Sequence, residues 1–435
     1  MSYPLTGAQK PGSRTRSPRT HWVSFFLITL LLLTDGMDVT IVSHVFPSLI
    51  REWGVSVGGG IALVVTGGAV AMGVGALVAG RLSDRFGRKP LLIIAGVVFS
   101  VATALTATAP DLFFFTTWRI VACLGMGAVM PLGITLLADL MPVRRRSAFV
   151  AAAYAGIGLG TTVGAIAAGV IIPQAGWRSL LVFAGIVPLV ATLLVAFFVG
   201  ESPSLTGRAR VVDGIAKSVP SRVDRSVFAG VLGRRWRVTT LLLWAFGFIS
   251  LGTQLMLIQY LPTLLQQPSP GLSTAESSAI IAVYGLASVV GILVLSAILI
   301  RASRFASIGV GLALSAAAAV WVAFIADSSF TTIFVVVTIA GLIIPTTLGP
   351  TRNVLAAAAY PAAMRGTGVG TTEFSARAGS AAGGVVGGAL IGGLGLGLSG
   401  IFLALLVPFA ILGAIVGALR LTGTDSRDVA SSDPV

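Results

Sequence analysis

The sequence has few of the residues that catalytic and metal sites use. It contains 1 cysteine, Cys123, and 2 histidines, His21 and His44, in 435 residues. A single cysteine excludes a disulfide within the chain and is too few for a cysteine-based metal motif. A membrane enzyme would need a nucleophile with its base or a metal cluster, and these residues provide neither. We therefore predict that the protein is not an enzyme and uses no cofactor and no metal.

Charged residues are also scarce, at 10% of the chain, while 55% of the residues are hydrophobic and 54 are glycine. These proportions lie outside the range of soluble domains and indicate a polytopic membrane protein. Because a membrane-spanning helix needs about 20 apolar residues, each apolar run can be assigned as one crossing. The runs lie near 22–48, 59–80, 90–109, 113–139, 148–172, 179–199, 238–264, 277–300, 305–326, 330–356, 367–394 and 398–420.

The predicted fold is all-α, with twelve transmembrane helices in two six-helix bundles. The bundles cover residues 22–200 and 238–421, and a polar segment rich in Pro, Gly, Ser and Arg, residues 201–237, links them. Short tails, 1–21 and 422–435, complete the chain. The first run is too long for a cleavable signal peptide, and no small-residue cleavage site follows it.

The net charge of +14 is distributed unevenly between the loops. Arginine and lysine cluster before run 1, after runs 2 and 4, and in the linker, whereas the loops on the other side carry only Arg51 and Arg178. This is the positive-inside pattern, so both termini and the linker are expected to face the cytoplasm. We predict a multi-pass protein of the cell inner (plasma) membrane, monomeric, with the lipid bilayer and no nucleic acid as its partner.

A weak internal repeat accompanies the division into halves. An offset of about 219 residues places ADLMPVRRR over AAAAYPAAMR, Pro142 over Pro361, and Arg85 over Arg304. With six runs in each half, this pattern fits transporters built from two parallel-related halves with a substrate site between them. The alternative is that unrelated residues coincide at loops that are basic in any case.

Few ionisable residues remain inside the apolar runs. They are Asp35, Asp38, Arg119, Asp139, Arg352, Glu373 and Arg377. Such residues normally face a bundle interior or a water-filled cavity and mark ion or substrate pathways.

Asp35 and Asp38 lie in the stretch TDGMD, where each aspartate costs about 2.5 to 3.5 kcal/mol on membrane-insertion scales. At a spacing of three residues they share one helix face. Two neighbouring carboxylates in a poorly hydrated site are suited to taking up and releasing protons. We predict proton coupling at both residues; the alternative is a static ion pair with an arginine such as Arg119.

Two arginines are candidates for holding an anionic substrate. The guanidinium of Arg119 matches a carboxylate in a bidentate way, although it could equally be the fixed partner of an aspartate in run 1. Glu373 precedes Arg377 by four residues, a favourable order for an ion pair within a helix. We expect Glu373 to hold Arg377 until a substrate carboxylate competes for it, with a purely structural brace as the alternative.

The stretch GRLSDRFGRKP, residues 80–90, follows run 2 and resembles the loop signature of the major facilitator superfamily. Its glycines permit a tight turn, and Asp84 can cap a helix or pair with a basic group. The resemblance implies two helical bundles that alternate access to a central site.

Within that superfamily, the chain resembles the aromatic acid/proton symporters. The resemblance rests on TDGMD, on WRIVACLGMGAVMPLG continuing to DLMPVRRR, on AGWRSL, on LPTLL, and on YPAAMRGTGVG running into ARAG. It implies functional roles for Asp35, Asp38, Arg119, Asp139, Arg365 and Arg377. The family usually has glutamate at the position of Asp139 and glycine at that of Cys123, and Glu373 is an added acid.

The expected activity is therefore proton-coupled import of a small organic anion, an aromatic carboxylate such as benzoate or a hydroxybenzoate. Asp35 and Asp38 are expected to carry protons, and Arg119, Arg377 and Glu373 to bind substrate. A conformational or gating role is assigned to Gly80, Asp84, Arg85, Gly87, Asp139 and Arg365. The alternatives are uptake of a non-aromatic acid, or proton-driven efflux, although YAGIGLGTTVGAIAAG lacks the Gly-Pro pair that exporters carry in helix 5.

Overall fold

The computed structural model describes residues 18–142, 145–201 and 231–422. All regular secondary structure in these residues is helical. The helices are α1 (Pro18–Trp53), π1 (Val57–Ile61), α2 (Ala62–Phe86), α3 (Arg88–Thr106), α4 (Leu112–Leu140), α5 (Arg146–Phe198), α6 (Arg237–Leu265), α7 (Thr274–Arg301), α8 (Arg304–Phe324), α9 (Phe330–Leu348), α10 (Thr351–Ala359), α11 (Ala362–Gly388), π2 (Ala389–Gly393), α12 (Leu398–Ala404) and α13 (Leu406–Leu421). An all-helical fold is thus confirmed. The linker residues 202–230 and the tails 1–17 and 423–435 lie outside the described residues.

Within the described part, 10 helices are long and apolar enough to cross a membrane. The sequence analysis predicted twelve crossings, and two segments account for the difference. The segment Ala152–Phe198 counts once, although its backbone leaves the helical conformation at Gly176, where φ is 77°. The other segment is α11, whose glycine, threonine and charged residues lower its hydropathy.

The loop between α2 and α3 shows why the signature contains glycine. Gly87 ends α2 and precedes α3 with φ of 99°, a conformation that residues with a Cβ rarely adopt. Its amide donates to the Ser83 carbonyl at 3.1 Å, so the turn needs no residue beyond Gly87. The predicted tight turn is confirmed at Gly87, whereas Gly80, the other glycine of the signature, lies inside α2 and does not form the turn.

The packing of α1 on α5 recurs in the packing of α6 on α11. A Cβ on Gly160 of α5 would lie 2.0 Å from the Leu33 carbonyl oxygen of α1, and one on Gly379 of α11 would lie 1.9 Å from the Phe248 carbonyl oxygen of α6. The two glycines are related by the same offset as Pro142 and Pro361. Small residues at matching positions let both helix pairs approach closely, which supports the internal repeat.

The two halves meet through pairs of helices that the repeat also relates, α2 with α11 and α5 with α7. We call the end of the bundle that carries Pro18 and Leu421 the terminal end, and the end that carries π1 and π2 the opposite end. At the opposite end, a Cβ on Gly392 would lie 2.2 Å from the Gly58 amide nitrogen, so the backbones of π1 and π2 are in direct contact. The halves are therefore closed against each other at the opposite end.

Candidate functional site

A buried ion pair joins α1 to α4. Arg119 donates from Nη1 to Asp38 Oδ1 at 3.1 Å and from Nη2 to Asp38 Oδ2 at 2.7 Å. Thr103 of α3 donates to Asp38 Oδ1 at 3.3 Å, and the Asp38 side chain is fully buried. The bidentate geometry and the third hydrogen bond compensate the cost of burying both charges.

This pairing corresponds to one of the two alternatives that the sequence left open for Arg119. Both terminal nitrogens of Arg119 are engaged by Asp38, and Nη2 also lies 3.7 Å from Cys123 Sγ. In this conformation Arg119 is a partner of the α1 aspartate. A substrate carboxylate that binds Nη1 and Nη2 of Arg119 in the same bidentate way would have to displace Asp38.

Asp35 lies one turn from Asp38 on α1 and has a different environment. Its side chain is buried, with 7% of the residue exposed, and its Oδ1 makes no hydrogen bond within the described residues. The charges that act on it are those of Arg377 and Asp38. Asp35 is therefore a buried carboxyl group whose Oδ1 atom has no hydrogen-bond partner among the described residues, and the charges of Asp38 and of Arg377 in the C-terminal half both act on it.

Arg377 projects from the middle of α11 into the space between the halves. Its Nη2 lies 3.7 Å from the Met130 sulfur of α4, a weak acceptor, and no carboxylate of the described chain lies within ion-pair distance. Arg377 is only partly buried. A guanidinium in this position has donors available for an anion.

The expected pairing of Glu373 with Arg377 is wrong. Glu373 Oε1 instead accepts from Arg352 Nε of α10 at 2.9 Å. Arg352 is available because α9 and α10 are separate helices, and its Nη1 also donates to the Gly349 carbonyl at that break, at 2.8 Å. The favourable spacing on α11 is outcompeted by an arginine from another helix.

Tyr154, a residue of the N-terminal half, lies near the charged group formed by Arg352, Glu373 and Arg377. It lies on α5, and its hydroxyl is within electrostatic range of Arg352, Glu373 and Arg377. It is nevertheless 42% exposed, and the Glu373 side chain is 31% exposed. Since the opposite end is closed, we infer that the space between the halves opens towards the terminal end.

A small, mainly apolar cavity lies beside Arg119, between α1, α2, α4 and α6. Its volume is about 30 Å³, and it is lined by Phe46, Val65, Arg119, Cys123, Leu255 and Gln259 among others. The Oε1 atom of Gln259 is buried without a hydrogen-bond partner in the described chain.

The residues predicted to take part in gating lie at the terminal end. Arg88, at the start of α3, binds Asp139 near the end of α4 and donates to the Thr135 carbonyl at 3.3 Å. Arg85 is exposed, and a Cβ on Gly80 would meet no neighbouring atom within 4 Å. The side chains of Asp84 and Arg365 lie outside the described part of the structure.

The structure thus forms two groups from the predicted residues. Asp35, Asp38 and Arg119 lie in the N-terminal half, and Glu373 and Arg377 lie in the C-terminal half. Sequence reasoning did not assign a site role to Arg352, Tyr154, Thr103 or Gln259. Arg352 could have been assigned from the sequence, because it is a charged residue near the end of an apolar run. Tyr154, Thr103 and Gln259 could not, because such residues are common in helices.

Comparison with known proteins identifies the family. A family model described as Major Facilitator Superfamily matches residues 28–347. The gallate transporter of Pseudomonas putida is 30% identical over 298 residues, which are 64% of this chain and 66% of that protein. The 4-hydroxybenzoate transporter PcaK of Pseudomonas putida is 32% identical over 297 residues, 63% of this chain and 66% of that protein. The chain therefore spans slightly less than two thirds of the length of these relatives.

Solved structures show the same fold at lower identity. The D-xylose–proton symporter has a TM-score of 0.72 at 18% identity, covering 92% of this chain and 97% of that one. A bacterial homologue of the human lysosomal transporter Spinster, in an inward-facing and occupied conformation, has a TM-score of 0.70 at 16% identity, covering 95% and 98% of the respective chains.

Proposed function

The chain belongs to the Major Facilitator Superfamily, and on that basis we propose that it is a proton-coupled secondary transporter that imports a small aromatic carboxylate by alternating access. Relatives named as transporters of gallate and 4-hydroxybenzoate support an aromatic acid as the substrate. The proposed halves are residues 22–200 and 238–421, with both termini in the cytoplasm.

The observation that carries the proposal is the state of Arg377. Its charge lies between the halves, partly buried, with a methionine sulfur at 3.7 Å and no carboxylate partner in the described residues. Leaving a charge in this position unpaired is costly, and a bound carboxylate would repay that cost through charge-assisted hydrogen bonds. Arg377 is therefore the proposed anion site. Arg119 is held by both carboxylate oxygens of Asp38, and its proposed role is a supporting one.

The proposed sites of proton binding are Asp35 and Asp38, both on α1. Asp35 has a buried oxygen without a partner, and Asp38 is held by Arg119. A proton on Asp38 would remove the charge that Arg119 binds, and a proton on Asp35 would change the field at Arg377. Proton binding and anion binding would thus be linked through charges that lie close together, as coupling between two ligands requires.

The distribution of basic residues between the loops supports the proposed direction of transport, which is import. If the terminal end faces the cytoplasm, as the positive-inside pattern indicates, the space between the halves opens to the cytoplasm and this conformation is the one that releases an imported substrate. The proposed points at which the terminal end closes are the last turns of α2, with Gly80, Asp84 and Arg85, the turn at Gly87, the Arg88–Asp139 contact and Arg365.

The test is uptake into proteoliposomes that contain the purified full-length protein. With an inward proton gradient, labelled benzoate or 4-hydroxybenzoate should accumulate above its external concentration, and a protonophore should abolish the accumulation. Empty liposomes and liposomes with Asp35→Asn protein are the controls. No accumulation of either acid would contradict aromatic acid import, and proton-driven loss of a preloaded compound would instead indicate efflux.

A further inference from the structure

The cavity beside Arg119 is lined by both halves of the molecule. Helices α1, α2 and α4 provide most of its wall, and α6 of the C-terminal half provides Leu255 and Gln259. Its polar side chains are those of Arg119, Cys123 and Gln259. Because a water molecule needs roughly 10–15 Å³, a cavity of about 30 Å³ has room for about two of them. Water in this cavity would contact polar groups of both halves.

The cavity lies between the buried ion pair and the closed opposite end. Phe46, which lines it, is about two helical turns beyond Asp38 in the direction of π1. Tyr260, next to Gln259 in α6, donates its hydroxyl proton to the Gly384 carbonyl of α11 at 2.8 Å. A Cβ on Gly384 would lie 2.6 Å from a threonine hydroxyl oxygen of α2, so α11 packs directly on the N-terminal half at this level. Gln259 is therefore adjacent in sequence to a contact that holds the closed end together.

Arg119 has donors left for this cavity. A guanidinium carries several N–H groups, and the hydrogen bonds to Asp38 use one on Nη1 and one on Nη2. The Arg119 side chain is 5% exposed, whereas that of Asp38 is 0% exposed. The accessible part of the ion pair thus belongs to the arginine, which lines the cavity.

Gln259 has an acceptor left on the other side. Its Oε1 atom is buried and has no hydrogen-bond partner among the described residues. A buried amide oxygen without a partner is costly, and a water molecule with several polar neighbours removes that cost. A water that accepts from an N–H group of Arg119 and donates to Gln259 Oε1 would satisfy both side chains.

We propose that Gln259, through a water molecule in this cavity, is the acceptor in the C-terminal half for Arg119, and that it links the charge state of Asp38 to that half. A proton on Asp38 removes the negative charge that holds Nη1 and Nη2, while the guanidinium stays charged and binds more strongly towards Gln259. The other titratable groups that act on the pair are Asp35 of α1 and Cys123 of α4. This inference rests on the proposed function, because it uses Asp38 as a proton-binding residue, and it adds a positioning residue on α6.

The first test measures melting temperatures in detergent and uses no substrate. Asp38→Asn leaves Arg119 without its counter-ion and should lower the melting temperature. Adding Gln259→Glu supplies a carboxylate of the same length across the cavity and should recover roughly half or more of the lost degrees. Gln254→Glu is the matched control, because Gln254 lies on the same helix but does not line the cavity. Recovery with neither glutamate, or equal recovery with both, would overturn the proposal.

The second test keeps Asp38 and measures transport of labelled benzoate in proteoliposomes. Gln259→Met keeps the shape of the side chain and removes the acceptor. Proton-driven accumulation should fall roughly fivefold or more, while exchange at equal concentrations on both sides continues. Gln254→Met should change neither measurement.

The outcomes of the transport test separate coupling from packing. Unchanged accumulation in Gln259→Met, or a loss of accumulation and exchange by the same factor, would overturn the role of Gln259. No accumulation by the unmodified protein would instead contradict the proposed function, and the melting temperatures would still decide whether Gln259 and Arg119 interact.

Discussion

Arg119 binds both carboxylate oxygens of Asp38, at 3.1 and 2.7 Å, across the interface of α1 and α4. Asp35, one turn away on α1, has a buried oxygen with no partner in the described structure. Two aspartates on one helix face therefore have different environments, and their variants are expected to behave differently.

Asp38→Asn should lose both stability and coupling. The change leaves the Arg119 guanidinium buried without its counter-ion, which costs about 3–5 kcal/mol when one partner of such a pair is removed. We expect a lower melting temperature in detergent and no accumulation of substrate against its gradient. The double variant Asp38→Asn with Arg119→Gln should recover much of the stability and none of the accumulation. Recovery of accumulation would show that Asp38 is structural only.

Asp35→Asn should lose coupling while keeping stability. No described hydrogen bond to Oδ1 is broken, so the melting temperature should stay within a few degrees of that of the unmodified protein. Substrate exchange at equal concentrations on both sides should continue, while uphill accumulation and its dependence on pH should disappear. Accumulation with an unchanged pH profile would exclude Asp35 as an obligatory proton carrier.

Arg377→Lys should weaken substrate binding although the charge is kept. Lysine cannot make the bidentate contact that a guanidinium makes with a carboxylate, so the apparent KM should rise roughly tenfold. Arg377→Gln should abolish binding of the acid. Benzamide, the neutral amide of benzoate, serves as the ligand control: if the unmodified protein transports benzamide as well as benzoate, Arg377 is not the anion site.

Gly392→Ala should open the opposite end of the bundle. The added Cβ would lie 2.2 Å from the Gly58 amide nitrogen, so π1 and π2 cannot keep their contact. Gly393→Ala is a matched control, since a Cβ there meets no atom within 4 Å. In a Cys123→Ser background with Tyr154→Cys, alkylation from the terminal side should slow in Gly392→Ala and stay unchanged in Gly393→Ala. Equal alkylation in both would show that this contact does not control access to position 154 from the terminal end.

The sequence predicted the helices well because long apolar runs have few alternative structures in a membrane. It placed the run near 330–356 as one helix, whereas the chain breaks at Gly349 and Pro350 into α9 and α10. A glycine followed by a proline at residues 349–350 indicated that break, and its consequence for Arg352 was missed.

The site was predicted less completely, because ion pairs between helices depend on tertiary packing. The carboxylate of Asp38 and the guanidinium of Arg119 were identified as candidates. They are 81 residues apart in the chain, so the sequence alone could not show whether they bind each other or have separate roles. Glu373 was assigned to Arg377 from local spacing, which is worth only about 0.2–0.5 kcal/mol per pair on a helix. An arginine of another helix at 2.9 Å easily outweighs that preference.

The internal repeat divides the charges unequally between the halves. Asp35, Asp38 and Arg119 correspond to Gln254, Leu257 and Thr338, which are all neutral, just as the charged group on α10 and α11 has neutral counterparts in the first half. In the proposed mechanism, proton binding and substrate binding therefore depend on different halves of the chain. On that mechanism we expect a chimera that joins residues 1–200 to the second half of a relative with glutamine at the position of Gln259 to keep the proton coupling of this protein and to transport the substrate of the relative, so that new import specificities could be engineered without rebuilding the coupling residues.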